Sequence, residues 1–375
     1  MAGEDTSSAA LSAPPLTPRA VEECKRERLI ELGDQVVAAT AELGLPHWFW
    51  PEAVAVLGMI DFARATARGL PGPVLQYLDV HRARPLQVGH VNDLAPGIAA
   101  VRAADTGAFG LDWVIDRLAG WITGAGVGTS TVSPAATGVP VLTRAPNGAI
   151  EHWPGGVWAD TVYMAGMFLG QLGRARRDPA LIDEFGRQLL AHAELLQHPE
   201  SGLYAHGSHR GETIWCFWGR ANAWIALAGV GYLELAAGLP GTDPTVASAV
   251  AARLRRQLIA LADRQPPHGV WSVLVDDQVE NAGILETSAA AGIGAAMLRA
   301  GAVLDDLPPS VAAAGDLAAR ASLAYLDNGL LTRVSAGTVL QLVPFGYSVI
   351  RNDRPQLWGQ GLALQAIAAL LDHQA

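Results

Sequence analysis

Apolar residues recur at helical spacing along most of this chain, and connections rich in Gly and Pro separate the periodic segments. The spacing predicts twelve helices, which cover residues 19–43, 49–69, 73–83, 91–103, 107–124, 158–175, 178–197, 218–237, 243–264, 285–301, 308–327 and 356–373. Short strand-like segments, residues 269–277 and 329–339, lie between helices and never alternate with them regularly. The order of elements therefore disfavours a parallel sheet.

The predicted helices are of two kinds. The segment VASAVAARLRRQLIALADR, residues 246–264, carries a charged stripe, which is typical of an outer helix with one face in solvent. Four other segments are small and apolar nearly all round, so we expect them to be buried on every side. They are WADTVYMAGMFLGQLG from residue 158, WGRANAWIALAGVGYLEL from 218, LETSAAAGIGAAMLRAG from 285 and WGQGLALQAIAALL from 358. Each buried helix begins with a polar residue among Trp or Gly.

This weak internal repeat predicts a double ring in which inner and outer helices alternate. An (α/α)6 barrel, an all-α fold with short β pieces in its loops, satisfies the count of twelve. The N-terminal ends of the inner helices then meet at one mouth, and helix N-termini favour anions. We expect a single domain of this kind over residues 19–375. It follows a disordered tail, residues 1–18, that is rich in Ser, Ala and Pro.

The composition fits a helical protein with much buried surface. Charged residues make up 17% of the chain, against roughly 25% in an average soluble domain, and hydrophobic residues reach 50%. The formal net charge is -10 and no block is rich in Lys or Arg, so we expect no nucleic acid or membrane partner. Cys24 and Cys216 are the only cysteines, and no signal peptide or membrane-length apolar run is visible. We expect a soluble cytoplasmic protein, and a homo-oligomer stays an open alternative.

Polar residues at the predicted helix starts are the candidates for chemistry: Asp93, Asp160, Arg220, Asn222, Glu286, Thr287 and Gln360. The carboxylates have a simpler alternative role, because acidic residues are common in helix caps and first turns. Eight of the eleven tryptophans lie in loops or at helix starts: Trp48, Trp50, Trp153, Trp158, Trp215, Trp218, Trp224 and Trp358. Carboxylates, an arginine and aromatic rings at one rim predict a concave polar pocket, which is typical of a sugar site.

The loop before residue 218 contains His206, His209 and Glu212 at the spacing H-x-x-H-x-x-E. Glycines in this loop argue against a helix that presents these side chains on one face, and no thiolate or other clustered ligand accompanies them. A metal site is therefore disfavoured. We expect His206 to hydrogen-bond a ligand, whereas His209 has the alternative of an exposed loop histidine. The chain has no G-x-S-x-G, P-loop or H-E-x-x-H motif, and we expect neither cofactor nor metal.

The segments VWADTVYMAGMFLGQLG, GLYAHG, FWGRANAWIALAGVGYLEL, ILETSAAAGIGAAMLRAG and WGQGLALQAIAALL occur here in the same order as in the unsaturated uronyl hydrolases. From about residue 45 to the C-terminus the chain resembles these enzymes, glycoside hydrolase families 88 and 105, and especially their unsaturated rhamnogalacturonyl hydrolase branch. The resemblance implies an (α/α)6 barrel. It also implies an enzyme that releases a 4-deoxy-4,5-unsaturated uronic acid from the non-reducing end of oligosaccharides made by polysaccharide lyases.

The resemblance also implies roles for individual residues. Asp160, in the W-x-D-T motif, matches the general acid and base of the family, and Asp93 matches the aspartate that assists it. The substrate-contacting residues fall on His206, Trp218, Arg220 and Trp224, and we add Trp50 and Trp158 as further candidates at helix starts. Many rhamnogalacturonyl enzymes have a lysine shortly before the catalytic aspartate. Here the nearest polar residue is His152, which we expect to contact the substrate, and the aglycone sugar stays open.

An unsaturated uronide is a vinyl ether conjugated to a carboxylate, so an acid is expected to protonate C4 before water adds at C5. We expect burial beside Trp158 and the like charge of Asp93 to raise the pKa of Asp160, and activity to be best at mildly acidic pH. Arg220 and His206 are the expected partners of the substrate carboxylate. Two alternatives stay open: a sugar epimerase or isomerase on the same barrel, and a noncatalytic carbohydrate-binding protein.

Overall fold

The structure, a computed structural model, describes residues 25–105, 110–124, 142–276 and 278–374. In these ranges the helices are α1 Arg26–Leu43, α2 Trp50–Ala65, α3 Gly72–Arg82, α4 Ala95–Ala104, α5 Asp112–Thr123, α6 Met167–Arg176, α7 Pro179–Leu196, α8 Gly219–Gly238, α9 Pro244–Asp263, α10 Thr287–Ala300, α11 Pro309–Leu323, α12 Pro344–Ser348 and α13 Leu357–His373. All twelve predicted helices are present, with ends that differ by a few residues. The predicted tail, residues 1–18, lies outside the described residues, as do the beginnings of the helices predicted from 19 and 107.

Six of these helices form a closed inner ring, in the order α2, α4, α6, α8, α10 and α13. Each contacts the next, and α13 returns to pack along α2. Helices α1, α3, α5, α7, α9 and α11 alternate with them in sequence as the outer layer. The two predicted kinds of helix are confirmed, because α8 is buried nearly all round whereas α9 buries one stripe that includes Val250, Leu254 and Leu258.

The ring closes where the backbones of α2 and α13 touch. A Cβ atom on Gly361 would lie 2.1 Å from the carbonyl oxygen of Val54, and one on Gly58 would lie 2.3 Å from the carbonyl oxygen of Gly361. No side chain fits at these distances, so glycine is required at both positions. The first and last inner helices are therefore joined more closely than side-chain packing allows.

Short strands stand at the mouth of the barrel. β1 (Gly156–Trp158), β2 (Gly207–His209) and β3 (Glu212–Ile214) form an antiparallel sheet in that order. This sheet was not predicted, because strands of three residues show no alternating pattern. β4 (Leu326–Asp327) and β5 (Leu330–Leu331) form a small hairpin, of which only β5 lies within the predicted segment 329–339. The other, residues 269–277, was wrong as a strand: its described part makes only isolated bridges, such as Trp218 with Leu274.

The chain becomes helical at Asp160, directly after β1, and first forms a π-helical turn over Val162–Gly166 before α6. Such π turns are rare in proteins as a whole, and many of those that occur are at functional sites. Among the described helices, none has the length and apolar character that crossing a membrane requires.

We predict that Gly361→Ala destabilises the protein by about 1–3 kcal/mol, because the added methyl group collides with the backbone of α2. Urea denaturation followed by circular dichroism measures the change. Gly238→Ala is the matched control, since a Cβ there meets nothing within 4 Å. We expect this control to be neutral or to stabilise by up to about 1 kcal/mol. Equal stability of the Gly361 variant and the wild type would contradict the backbone contact.

Candidate active site at the mouth of the barrel

The carboxylate of Asp160 faces the imidazole of His206 at the mouth of the inner ring. Its Oδ2 atom lies 3.4 Å from His206 Nε2, and the side chains are 15% and 0% exposed. The sheet fixes both residues, since Trp158 of β1 pairs with Gly207 of β2. The backbone N–H of Ala159 also donates to the carbonyl of His206 at 2.9 Å. The two side chains are thus held together by backbone hydrogen bonds on either side of them.

Tyr347, a residue that the sequence analysis did not identify, supports His206 from behind. Its hydroxyl lies 2.8 Å from His206 Nδ1 and accepts a hydrogen bond from the backbone N–H of Gln341 at 3.4 Å. The Tyr347 hydroxyl therefore holds the imidazole of His206 with Nε2 on the side of Asp160. Tyr347 is fully buried in the short helix α12, 141 residues after His206. No sequence motif connects the two.

The pKa of Asp160 is lowered, contrary to the expectation from sequence. Burial alone raises it, but the hydrogen bond and charge of His206, with smaller contributions from His152 and Arg220, outweigh burial and favour the carboxylate. The expectation considered only Trp158 and Asp93 as neighbours of Asp160 and left out the effect of His206 on its pKa. The pKa of Asp93 is raised, because burial exceeds the effect of two backbone N–H donors. The pKa of Asp160 is thus lowered and that of Asp93 is raised, whereas we expected the pKa of Asp160 to be the raised one.

An aromatic wall flanks Asp160 on one side. The His152 ring stacks on Trp158, with centroids 4.6 Å apart and planes 8° from parallel. His152 Nδ1 lies 3.0 Å from the Thr161 hydroxyl, and its Nε2 lies 3.4 Å from the amide nitrogen of Asn92. Burial lowers the pKa of His152 to about 3, so its ring is neutral at pH 7. His152 thus stands at the site as a neutral hydrogen-bonding group.

Asp93 caps the short 3₁₀ turn that leads into α4. Its Oδ2 atom accepts from the backbone N–H groups of Gly89 and His90, both at 2.9 Å, while His90 Nδ1 accepts from the N–H of Asn92 at 3.1 Å. This reciprocal pair is a capping box, in which His90 replaces the usual Ser or Thr. The H-x-x-D spacing carries that signal in the sequence. The capping alternative for Asp93 is therefore present, and a catalytic role stays a prediction.

Arg220 does not present its guanidinium to the mouth, which corrects the expected contact with a substrate carboxylate. The side chain is 1% exposed and its Nη1 atom lies 3.2 Å from buried Glu286. The same atom donates to the hydroxyl of Ser335 at 2.8 Å, and Nη2 donates to the carbonyl of Ala336 at 2.9 Å. Both terminal nitrogens are thus engaged by the protein. The guanidinium also lies 4.3 Å from the Trp218 ring, and so Arg220 supports the wall of the pocket.

The predicted tryptophans fall into two groups. Trp158 and Trp50 are partly exposed, and Trp50 packs against Trp358 at 4.6 Å between centroids. Trp218 is 1% exposed and lies between Arg220 and His206. Trp224 is fully buried and packs against Tyr163 at 4.7 Å, which corrects its assignment to the substrate: it belongs to the core, the alternative that helical spacing also allowed.

Other polar residues at inner-helix starts hold loops in place. Asn222 bonds the backbone N–H and carbonyl of Tyr204 at 3.0 and 2.9 Å. Gln360 accepts from the N–H of Leu331 at 2.8 Å and donates to the carbonyl of Gly329 at 2.7 Å. His209 is exposed in β2, whereas His206, directly before this strand, is buried. In the described part of the chain, no three His, Cys, Asp or Glu side chains are grouped as metal ligands.

Comparisons with known proteins agree with this arrangement. The profile of Glycosyl Hydrolase Family 88 matches residues 144–373. An unsaturated rhamnogalacturonyl hydrolase of Bacillus subtilis is 34% identical over 240 residues, which are 62% of this chain and 65% of that relative. A protein of Agrobacterium fabrum is 33% identical over 140 residues, 35% of this chain and 58% of its own length. The chain thus spans somewhat less than two thirds of these curated relatives.

Solved structures share the whole architecture. A possible member of the GH105 family from Salmonella enterica superposes with a TM-score of 0.79 at 22% identity and covers 100% of both chains. An unsaturated glucuronyl hydrolase specific for heparin gives a TM-score of 0.61 at 12% identity, over 92% of this chain and 97% of that one. These similarities confirm the predicted (α/α)6 barrel.

We predict that His206→Leu raises the pKa of Asp160. Burial disfavours the carboxylate, and the leucine removes the group that contributes most to stabilising it. His206→Gln should raise it less, since an amide retains the N–H donor. Carbon-13 NMR titration of labelled aspartate, with Asp160→Asn to identify the resonance, measures both changes. An Asp160 carboxyl that titrates alike in all three proteins would contradict the pairing.

Proposed function

Because this chain belongs to Glycosyl Hydrolase Family 88, we propose that it is a glycosidase that removes a 4-deoxy-4,5-unsaturated uronic acid from the non-reducing end of lyase-generated oligosaccharides. The observation that carries the proposal is the Asp160–His206 pair at an aromatic-lined mouth. The unsaturated rhamnogalacturonyl hydrolase of Bacillus subtilis supports the substrate class. A cytoplasmic location belongs to the same proposal, supported by two cysteines in 375 residues.

The reaction begins at the double bond and not at the anomeric carbon. A carboxylic acid transfers its proton to C4 of the vinyl ether, and the resulting carboxylate takes a proton from water as the oxygen of that water bonds to C5. The hemiketal at C5 then opens to a ketone, and the aglycone leaves from C1 as its alcohol. One carboxyl group can serve both proton transfers, because it is regenerated after the water adds. The usual rule relating carboxylate separation to stereochemistry does not apply.

We assign both transfers to Asp160. In the free protein its pKa is lowered and the group is ionised near neutral pH. A substrate that brings its own carboxylate to the site and excludes water raises this pKa, since both changes disfavour a second negative charge. Substrate binding therefore protonates Asp160, and Asp160 then donates this proton to C4. His206, oriented by Tyr347, stays beside the carboxylate throughout.

The sugar ring is placed against the partly exposed Trp158 face, whose other neighbour is the stacked ring of His152. Neutral His152 supplies a hydrogen bond and no positive charge. A lysine at this place would attract an acidic aglycone, whereas His152 has no such effect. We therefore propose an aglycone that carries no negative charge near this position.

A sugar epimerase is the second candidate, and one observation favours it. Two histidines, His152 and His206, flank Asp160 and influence its pKa, and histidine pairs are common acid and base groups. An epimerase leaves the double bond of an unsaturated substrate intact, so the two candidates give different products. His206 is wholly buried, whereas the carboxylate of Asp160 is partly exposed, which favours the hydrolase.

We predict that the protein depletes the ultraviolet absorbance of the conjugated double bond in lyase digests of rhamnogalacturonan or a related polymer. Asp160→Asn should reduce the rate by about 10²–10⁴-fold with an unchanged circular dichroism spectrum, because the amide cannot transfer the proton. His209→Gln, a change at an exposed histidine, is the control and should retain full activity. An active Asp160→Asn protein would remove Asp160 from the mechanism.

We also predict that kcat/KM rises as the pH falls from about 8 to about 5, because the free enzyme must acquire a proton on a carboxyl of lowered pKa. The profile of kcat should be flatter, since the pKa of Asp160 is higher in the substrate complex. Initial rates across this range measure both quantities. A kcat/KM that keeps increasing above pH 8 would contradict the assignment.

A further inference from the structure

A cavity of about 1000 Å³ opens at the end of the barrel opposite Asp160. Its rim comes from the last turns of the inner helices, and Arg174 and Glu234 lie there. Arg174 follows Asp160 by 14 positions, and Glu234 follows Arg220 by 14 positions. Fourteen helical residues correspond to roughly 20 Å along the helix axis. We propose that this cavity, called the rear cavity below, is a second binding site, and that its ligand is a neutral saccharide.

An aromatic pair separates the rear cavity from the mouth. Tyr163 follows Asp160 by one turn and lines the rear cavity, and Trp224 follows Arg220 by one turn and packs on Tyr163 at 4.7 Å. Tyr163 is 3% exposed and Trp224 is fully buried. The mouth and the rear cavity are therefore distinct compartments on one axis. A molecule in the rear cavity does not contact Asp160.

The floor of the rear cavity carries an unpartnered polar atom. Gln365 is 5% exposed and donates from its amide nitrogen to the Tyr163 hydroxyl at 3.0 Å. Its carbonyl oxygen Oε1 is buried and has no hydrogen-bond partner in the described part of the protein. The Tyr163 hydroxyl accepts in this bond and keeps its own proton for another partner. One acceptor and one donor thus stand side by side, an arrangement that suits hydroxyl groups of a ligand.

The charges of the rear cavity favour a neutral ligand over an ionic one. Arg102 is paired with Asp61 at 2.7 Å, and Arg299 with Glu234 at 2.6 Å. A free anion would face these carboxylates and the negative ends of the inner helices, and a free cation would face the guanidinium groups. Hydroxyl groups donate to carboxylates and accept from guanidinium groups without either penalty.

The deeper wall is apolar, which completes the complement of a sugar ring. Leu57, Ile98, Met167 and Leu227 line this part of the rear cavity. Such side chains pack against the C–H face of a pyranose while its hydroxyls reach the polar rim. The volume lies at the upper end of the range for small-molecule sites, so a monosaccharide or a disaccharide fits.

Binding of galactose, rhamnose and lactose to the Asp160→Asn protein tests the proposal by saturation-transfer NMR and calorimetry, with glucuronate and glucosamine as charged comparisons. We expect at least one neutral sugar to bind more tightly than either charged one. Gln365→Leu, which removes the orphan acceptor, and Ala369→Phe, which fills part of the rear cavity, should each weaken that binding at least tenfold. Should Ala369→Phe fail to fold, Glu234→Gln at the partly exposed rim replaces it, with the same expected loss.

Hydrolysis by the otherwise wild-type Gln365→Leu protein should be unchanged, because Gln365 lies beyond the Tyr163–Trp224 pair. Absence of neutral-sugar binding, tighter binding of a charged sugar, or binding that survives the rear-cavity substitutions would each overturn the proposal. Binding is measured without turnover, so a failure of the proposed glycosidase activity would leave this result distinguishable.

Discussion

The contact of two helix backbones at Gly58 and Gly361 is the constraint on which the arrangement depends. Six inner helices surround one axis only if the first and the last meet, and here they meet at a distance that no side chain permits. Closure turns six separate helix starts into one mouth. Asp160, His206 and Tyr347 come from chain segments far apart in sequence, which converge because the ring is complete.

Within the mouth, the balance between burial and neighbouring groups decides the protonation of each ionisable group: burial prevails at Asp93 and His152, and neighbouring groups prevail at Asp160. Asp160 is partly buried, yet its pKa is lowered, because its contact with His206 outweighs burial. Arg220 is deeply buried but stays paired with Glu286. In the proposed mechanism, Asp160 gains its proton only when an anionic substrate binds. One carboxyl group would then act first as an acid and afterwards as a base.

Local patterns in the sequence predicted the helices, the barrel and the position of Asp160, because helix period and helix starts are encoded in adjacent residues. The failures share a different origin. The support of His206 by Tyr347 joins residues 141 positions apart, and the commitment of Arg220 to Glu286 and Ser335 depends on contacts across the ring. The lowered pKa of Asp160 sums several such contacts. The strands β1–β3 are too short for a period, and the rear cavity arises only once six helix ends are assembled.

The π turn over Val162–Gly166 changes the direction in which the Asp160 carboxylate points around the helix axis. One extra residue in a helix of 3.6 residues per turn displaces everything before it by about 100° around the helix axis. Asp160 therefore points toward His206 while the body of α6 presents Phe168 and Leu172 to the core. The direction of Asp160 around the helix axis is therefore independent of the direction in which α6 packs its apolar side chains. A family that kept the barrel and deleted this single residue would keep the fold and turn the carboxylate away from its partner.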